Sequence, residues 1–254
     1  MTQSVPGPAP PALQRALVAW GNFVFHWRNS LFPVVIIVIF ASLRPQDAWG
    51  SRSADAWLDL LGVLVAIAGQ VIRSMVVGLA YIKRGGVNKR VYADTLVNTG
   101  IFAHCRNPLY VGNACTLLGL FLIHNNPYAY AIGGVFFVVT YIAVVAAEEQ
   151  YLANKFGDQF AGYCRTTPRW LPRLKGLGTT LGSMRFNWRR VVIKEYSSAT
   201  SWILTACALF AYQALLHDGL VWTTPLLASA GVAGLALLAA VAISRLKKAG
   251  KLKE

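Results

Sequence analysis

Six stretches of this chain are so continuously apolar that no water-facing fold could bury them all. They run at roughly 29–43, 56–82, 108–124, 128–151, 199–216 and 223–244. Within them apolar residues come in blocks, with neither helical nor strand spacing. About 20 such residues cross a hydrocarbon core of about 30 Å as a helix. A helix is the form that satisfies its own backbone polar groups in lipid. The composition agrees: of 254 residues, 56% are hydrophobic and 13% charged, about half the charged fraction usual in a soluble domain. Mean hydropathy is +0.47. The fold class is therefore all-α, a polytopic membrane helix bundle of about six transmembrane helices. Spans one and three are short, and their helices are expected to extend into the flanks. Before the first span, Trp20, His26, Trp27 and Arg28 suit an interfacial helix. The Pro-rich start "MTQSVPGPAPP" lacks the basic head and apolar core of a cleaved signal peptide.

A net charge of +14 invites a nucleic-acid reading. The positions of the basic residues argue against it, and no nucleic-acid partner is expected. They fall between the apolar blocks: Lys83, Arg84, Lys89, Arg90 and Arg106 after the second, Lys155 through Lys194 after the fourth, and Arg245 through Lys253 in the tail. The alternate gaps are nearly neutral, with Arg44 and Arg52 set against Asp47 and Asp55. By the positive-inside rule both termini and both large loops face the cytoplasm. The expected setting is a multi-pass protein of a bacterial inner membrane, with the lipid bilayer as its first partner. Cys105, Cys115, Cys164 and Cys207 form no CxxC and read as free thiols. The four histidines show no metal-ligand spacing, so no metal site is expected.

Chemistry concentrates in two places. In "TLVNTGIFAHCRNPLYVG", 95–112, Gly100 permits a turn that other residues resist. Pro108 pre-sets a first helical turn, and Asn107 before it can cap. Arg106 and Tyr110 are not needed for either job. In "EEQYLANKFGDQFAGYCRTTPRWLP", 148–172, Glu148 and Glu149 sit at the wet end of the fourth span, where carboxylates are paired, functional or simply solvated. The helix is expected to run on through "QYLANKF". "GLGTTLG", 176–182, has the wrong spacing for a dinucleotide loop and reads as a flexible connector.

Together with the "NNP" that follows the third span, these two blocks resemble the isoprenylcysteine carboxyl methyltransferase family and its phospholipid methyltransferase relatives. The resemblance covers about 100 residues, from roughly Arg73 to Pro172. It implies S-adenosylmethionine as cofactor and an amphiphilic lipid or prenylated acceptor at the cytoplasmic face. It also implies a cofactor site built from Leu96, Val97, Gly100, Asn107, Pro108, Tyr110, Gly112 and Glu149, with Arg106 and Glu148 as the catalytic, substrate-side pair. Arg106 could orient a carboxylate by its fork of donors. Glu148 or Glu195 could accept a proton from an amine. One departure matters: the histidine usual in the family stands as Asn107, which cannot carry a proton near neutral pH. The chain divides into a Pro-rich segment and interfacial helix (1–28), a methyltransferase core (29–172), and a connector with two extra spans (173–254). Two other readings stay open: a membrane-embedded, NADPH-dependent sterol-type reductase, and a non-catalytic lipid-binding protein of the same fold.

Overall fold

The computed structural model describes residues 11–80, 91–219 and 221–252. The Pro-rich start and the basic Lys83, Arg84, Lys89 and Arg90 lie outside these residues. Among the described residues every regular element is helical: α1 (Ala12–Ser42), α2 (Arg52–Leu79), α3 (Pro108–His124), α4 (Pro127–Thr166), α5 (Leu177–Ser183), α6 (Trp188–Asp218) and α7 (Thr224–Lys248). Five of them are long and apolar enough to cross a membrane, and α3 is a shorter apolar helix. The chain is an integral membrane protein.

Several element ends differ from expectation, each for a local reason. The interfacial helix and the first span form one helix. No proline interrupts the chain from Ala12 to Phe32, and Pro33 is absorbed within α1. α6 starts at Trp188, well before the apolar run at 199, because the Asn187 side chain accepts the Arg190 N–H at 2.9 Å and starts the helix there. The segment read as a flexible connector carries α5, entered through Gly176 at φ +78°. α3 keeps the bounds of its apolar run and does not extend into the flanks; its 17 residues span only about 25 Å. α4 runs on past the apolar block as expected, then breaks its helical geometry at Gly157 (φ +49°, ψ −123°), a combination open mainly to glycine.

The helices pack as three antiparallel pairs: α2 with α3, α1 with α4, and α6 with α7, the last pair docking through α6 onto α2 and α3. The turn between α3 and α4 is tight. Asn125 takes the left-handed conformation at φ +43°, and the Asn126 side chain accepts the N–H groups of Tyr128 and Ala129 at 2.9 and 3.1 Å. Asn126 also donates to the Arg44 carbonyl at 2.7 Å, and His217 meets Asp47 at 3.0 Å, so these loops share one end of the bundle. The other end holds 91–107 and the α4–α6 connection.

Glycines set the α2–α3 distance. A Cβ at Gly119 would collide with the Gly62 carbonyl oxygen, and one at Gly69 would lie 2.5 Å from that of Gly112. Such close backbone approach is how membrane helices gain dispersion energy where no hydrophobic effect drives them together. Beside it, α6 is latched to the pair by a buried ion pair. Arg73 donates to both carboxylate oxygens of Glu195, at 2.8 and 3.1 Å, and also to Asn113. Gln70 donates to Glu195 at 3.2 Å and accepts from Trp202 at 3.2 Å. Breaking a buried pair on one side costs about 3–5 kcal/mol, whereas removing both charges is often neutral. Arg73→Met is therefore expected to lower the thermal unfolding temperature in detergent sharply, and Arg73→Met with Glu195→Met to recover most of it.

Candidate active site

The two chemistry-bearing blocks fold against each other at one end of the bundle. The Arg106 N–H donates to the Pro168 carbonyl at 2.9 Å, and the Arg173 N–H to the His104 carbonyl at 2.9 Å. The Tyr163 hydroxyl donates to the Phe102 carbonyl at 2.7 Å. His104 is held at both ring nitrogens, Nδ1 by the Arg173 carbonyl at 2.7 Å and Nε2 by Thr180 at 2.9 Å. That is a structural post, not a free base. Cys105 is buried beside the Trp170 carbonyl, at 3.2 Å, and burial pushes its thiol up from the ordinary range.

Beneath this cap lies a cavity of about 850 Å³, within the range typical of small-molecule sites. Leu96, Val97, Arg106, Asn107, Pro108, Tyr110, Glu148 and Glu149 all line it. Gly100 and Gly112 do not. Gly100 turns the chain at φ +60° against Met184, and Gly112 is spent on the α2 contact, where a Cβ would meet the Arg73 side chain at 2.7 Å. A second cavity, about 580 Å³, lies at the opposite end with Asp55, Asp59 and Asp218 on its wall. None of the sequence-derived site residues reaches it.

The polar pairs differ from the expected Arg106–Glu148 partnership. Arg106 meets Glu149 at 3.2 Å, and Glu149 is held from its other side by Arg169. Glu148 instead accepts from the Tyr110 hydroxyl at 2.7 Å. The reason is helical geometry: consecutive residues point about 100° apart, so the two carboxylates serve different walls. Arg106 also contacts Cys164, while its buried Nε has no partner among the described residues. Asn107 holds the cap position of α3 but does not cap. Its amide donates to the Arg169 carbonyl at 3.1 Å. Pro108 takes the first helical turn, as its ring favours. Sequence reasoning misses Arg169; its place in the "PRWLP" exit is the one signal that points to it. Among the described residues no group of three or more His, Cys, Asp or Glu could hold a metal ion.

Similarity to known proteins falls on the same residues. The family model for phospholipid methyltransferase matches residues 59–159. The chain is 34% identical over 180 residues to the cobalt-zinc-cadmium resistance protein CzcN of Cupriavidus metallidurans, covering 68% of this chain and 76% of that protein. The chain belongs to the phospholipid methyltransferase family. Another member, the nickel-cobalt-cadmium resistance protein NccN of Alcaligenes xylosoxydans xylosoxydans, is 30% identical over 148 residues, 58% of this chain and 63% of its own. Protein-S-isoprenylcysteine O-methyltransferase of Rattus norvegicus is 30% identical over 135 residues, 51% of this chain and 46% of its own, so the chain spans about half of that relative. No solved structure matches. The family match contains α3, the "NNP" turn and both glutamates, and ends before Arg169, α6 and α7.

Proposed function

We propose that this protein is an integral membrane methyltransferase that takes its methyl group from S-adenosylmethionine and passes it to a lipid-like or prenylated acceptor at the cytoplasmic membrane face. The observation that carries the reading is the convergence of Arg106, Glu149, Tyr110 and Glu148, from two separate sequence blocks, on one cavity of cofactor size. Orientation follows from the basic residues at that end, from Arg165 to Lys194 and from Arg245 to Lys251. Bacterial relatives favour an inner membrane.

The donor set fits the cofactor. Arg106, with its unpartnered Nε, offers a buried cation to a carboxylate, and Glu149 offers an acceptor to an ammonium group. Leu96 and Val97 give an apolar wall for a flat base, and Asn107 offers amide chemistry near it. S-adenosylmethionine, when bound, supplies an electrophilic methyl group on a sulfonium. The protein's share is then alignment and exclusion of water, which can contribute several kcal/mol. Glu148, fixed by Tyr110, faces the acceptor side. It can take a proton from an amine acceptor; a carboxylate acceptor needs none.

Calorimetric titration of the detergent-purified protein tests this. Binding of S-adenosylmethionine and none of NADPH is expected, with Arg106→Ala weakening it at least tenfold while the protein stays folded. NADPH binding alone would replace this reading with the reductase.

A further inference from the structure

The second cavity, about 580 Å³, lies between α2, α6 and α7 and takes no part in the site above. Its volume suits one small molecule. Deep along the helices its wall is apolar, with Val63, Ile203, Phe210 and Val232. Trp202 ends it. That ring borders both cavities and is fixed by donating its indole N–H to Gln70 at 3.2 Å. From Gln213 to Trp202 the α6 wall runs about 16 Å.

At the level of Gln213 the wall turns polar, and two of its groups are left unfinished. Asp59 stands half-buried about two turns into α2. It forms no ion pair among the described residues and takes one amide hydrogen from Gln213, at 3.3 Å. A carboxylate at membrane depth is costly, and as a rule it is paired or functional. Gln213 is 7% exposed. Its nitrogen donates to Asp59 and to the Ile123 carbonyl, the latter at 2.8 Å, and that carbonyl fixes which end of the amide is nitrogen. The Oε1 atom has no partner among the described residues. Side by side, an ionised carboxylate and an amide oxygen accept hydrogen bonds and donate none. Toward the mouth, Asp47, Asp55 and Asp218 outnumber Arg52 and His217. There His217 meets Asp47 at 3.0 Å, and Asp55 accepts from the Ala48 N–H and from Asn125, both at 3.2 Å.

We infer that this cavity binds a protonated single-chain alkyl amine, with its ammonium group on Asp59 and Gln213 Oε1 and its chain along the α6 wall toward Trp202. An ammonium group carries three donors and the charge that Asp59 lacks beside it. The chain replaces lipid contacts on the apolar wall while the head stays near the mouth, as amphipathic side chains do in membranes. The acid-rich mouth excludes two neighbouring chemistries. A fatty acid meets like charge. A zwitterionic phospholipid brings a phosphate to the same carboxylates along with its amine. The site is separate from methyl transfer: Asp59 and Gln213 lie at the opposite end from Arg106 and Glu149, and none of the cofactor-side residues reaches this cavity.

The test is scintillation proximity with tritiated decylamine on the full protein in maltoside detergent at neutral pH, where the amine is charged. Saturable binding is expected, displaced by unlabelled decylamine. Decanol, decanoate and decyltrimethylammonium, which has no N–H, are each expected to compete at least tenfold more weakly, and dihexanoyl phosphatidylethanolamine not at all. Asp59→Asn keeps the shape and is expected to weaken binding at least tenfold. Ala228→Phe, at an exposed position on the cavity wall, is expected to block it. Arg52→Gln removes a cation from the mouth and is expected to tighten it several-fold, a gain that no folding defect produces. S-adenosylmethionine affinity is expected to stay unchanged in all three variants. Equal competition by the alcohol or the trimethylammonium compound would overturn the inference, and so would wild-type binding by Asp59→Asn. Displacement of the label by S-adenosylmethionine would place the amine in the first cavity and overturn it too. Failure of S-adenosylmethionine to bind would sink the methyl-transfer reading and leave this one standing.

Discussion

Glu149→Ala is expected to abolish S-adenosylmethionine binding and methyl transfer, and it is the most damaging single change at the site. Glu149 holds two guanidinium groups at once. Its side chain is 14% exposed and that of Arg106 is 12%, against 45% for Arg169. Removing it leaves Arg106 as a buried cation with Cys164 beside it and no carboxylate partner among the described residues. Breaking such a pair costs about 3–5 kcal/mol, enough to unseat the cavity wall. Glu149→Gln keeps the shape and removes the charge, so it separates packing from electrostatics: binding is expected to fall at least tenfold while thermal unfolding shifts less than in Glu149→Ala. Arg169→Ala is expected to be mild, since an exposed pair contributes little. Calorimetry and thermal unfolding, run together on the three variants, check this. Unchanged cofactor affinity in Glu149→Ala would remove it from the site.

Gly119→Val is expected to prevent assembly of a monodisperse protein. Its side chain would begin in collision with the Gly62 carbonyl oxygen and 2.7 Å from the Ala66 nitrogen, both backbone atoms that cannot turn aside. Ordinary overpacking of a core costs about 1–3 kcal/mol because side chains shift; here whole helices must separate, and the cost exceeds that range. Gly134→Val is the control, as nothing lies within 4 Å of its would-be Cβ. Size-exclusion profiles of the two variants are expected to differ completely. A normal profile for Gly119→Val would mean that α2 and α3 do not meet at their glycines.

Much of this arrangement is legible in the chain and some is not. The apolar run of α3 can be read, but not that the helix stops with it: 17 residues are short for a membrane span, and Pro108 and the left-handed Asn125 hold the helix to those bounds. The start of α6 is not legible, because "WRRVVIKEYSS" reads as a loop; its burial follows from Glu195 meeting Arg73, a partner 122 residues away. Of the ten expected site residues all but Gly100 and Gly112 line one cavity, and their pairing is not legible in the chain. Sequence places Glu148 and Glu149 together without saying which wall each faces. Gly112 looks like part of the cofactor site, whereas its spacing of seven from Gly119, matched by Gly62 and Gly69, is a packing signal present in the chain itself.

The cap over the cavity is stitched mainly by main-chain groups: Arg106 N–H to Pro168, Arg173 N–H to His104, and side chains such as Tyr163, Cys105 and Asn107 all ending on carbonyl oxygens. Peptide groups are the same whatever residue carries them. A scaffold tied through them lets position 107 carry asparagine, where the family resemblance leads one to expect histidine, without redrawing the pocket. In such a frame a side chain that faces the cavity is a replaceable fitting, exchanged without moving the walls that hold it.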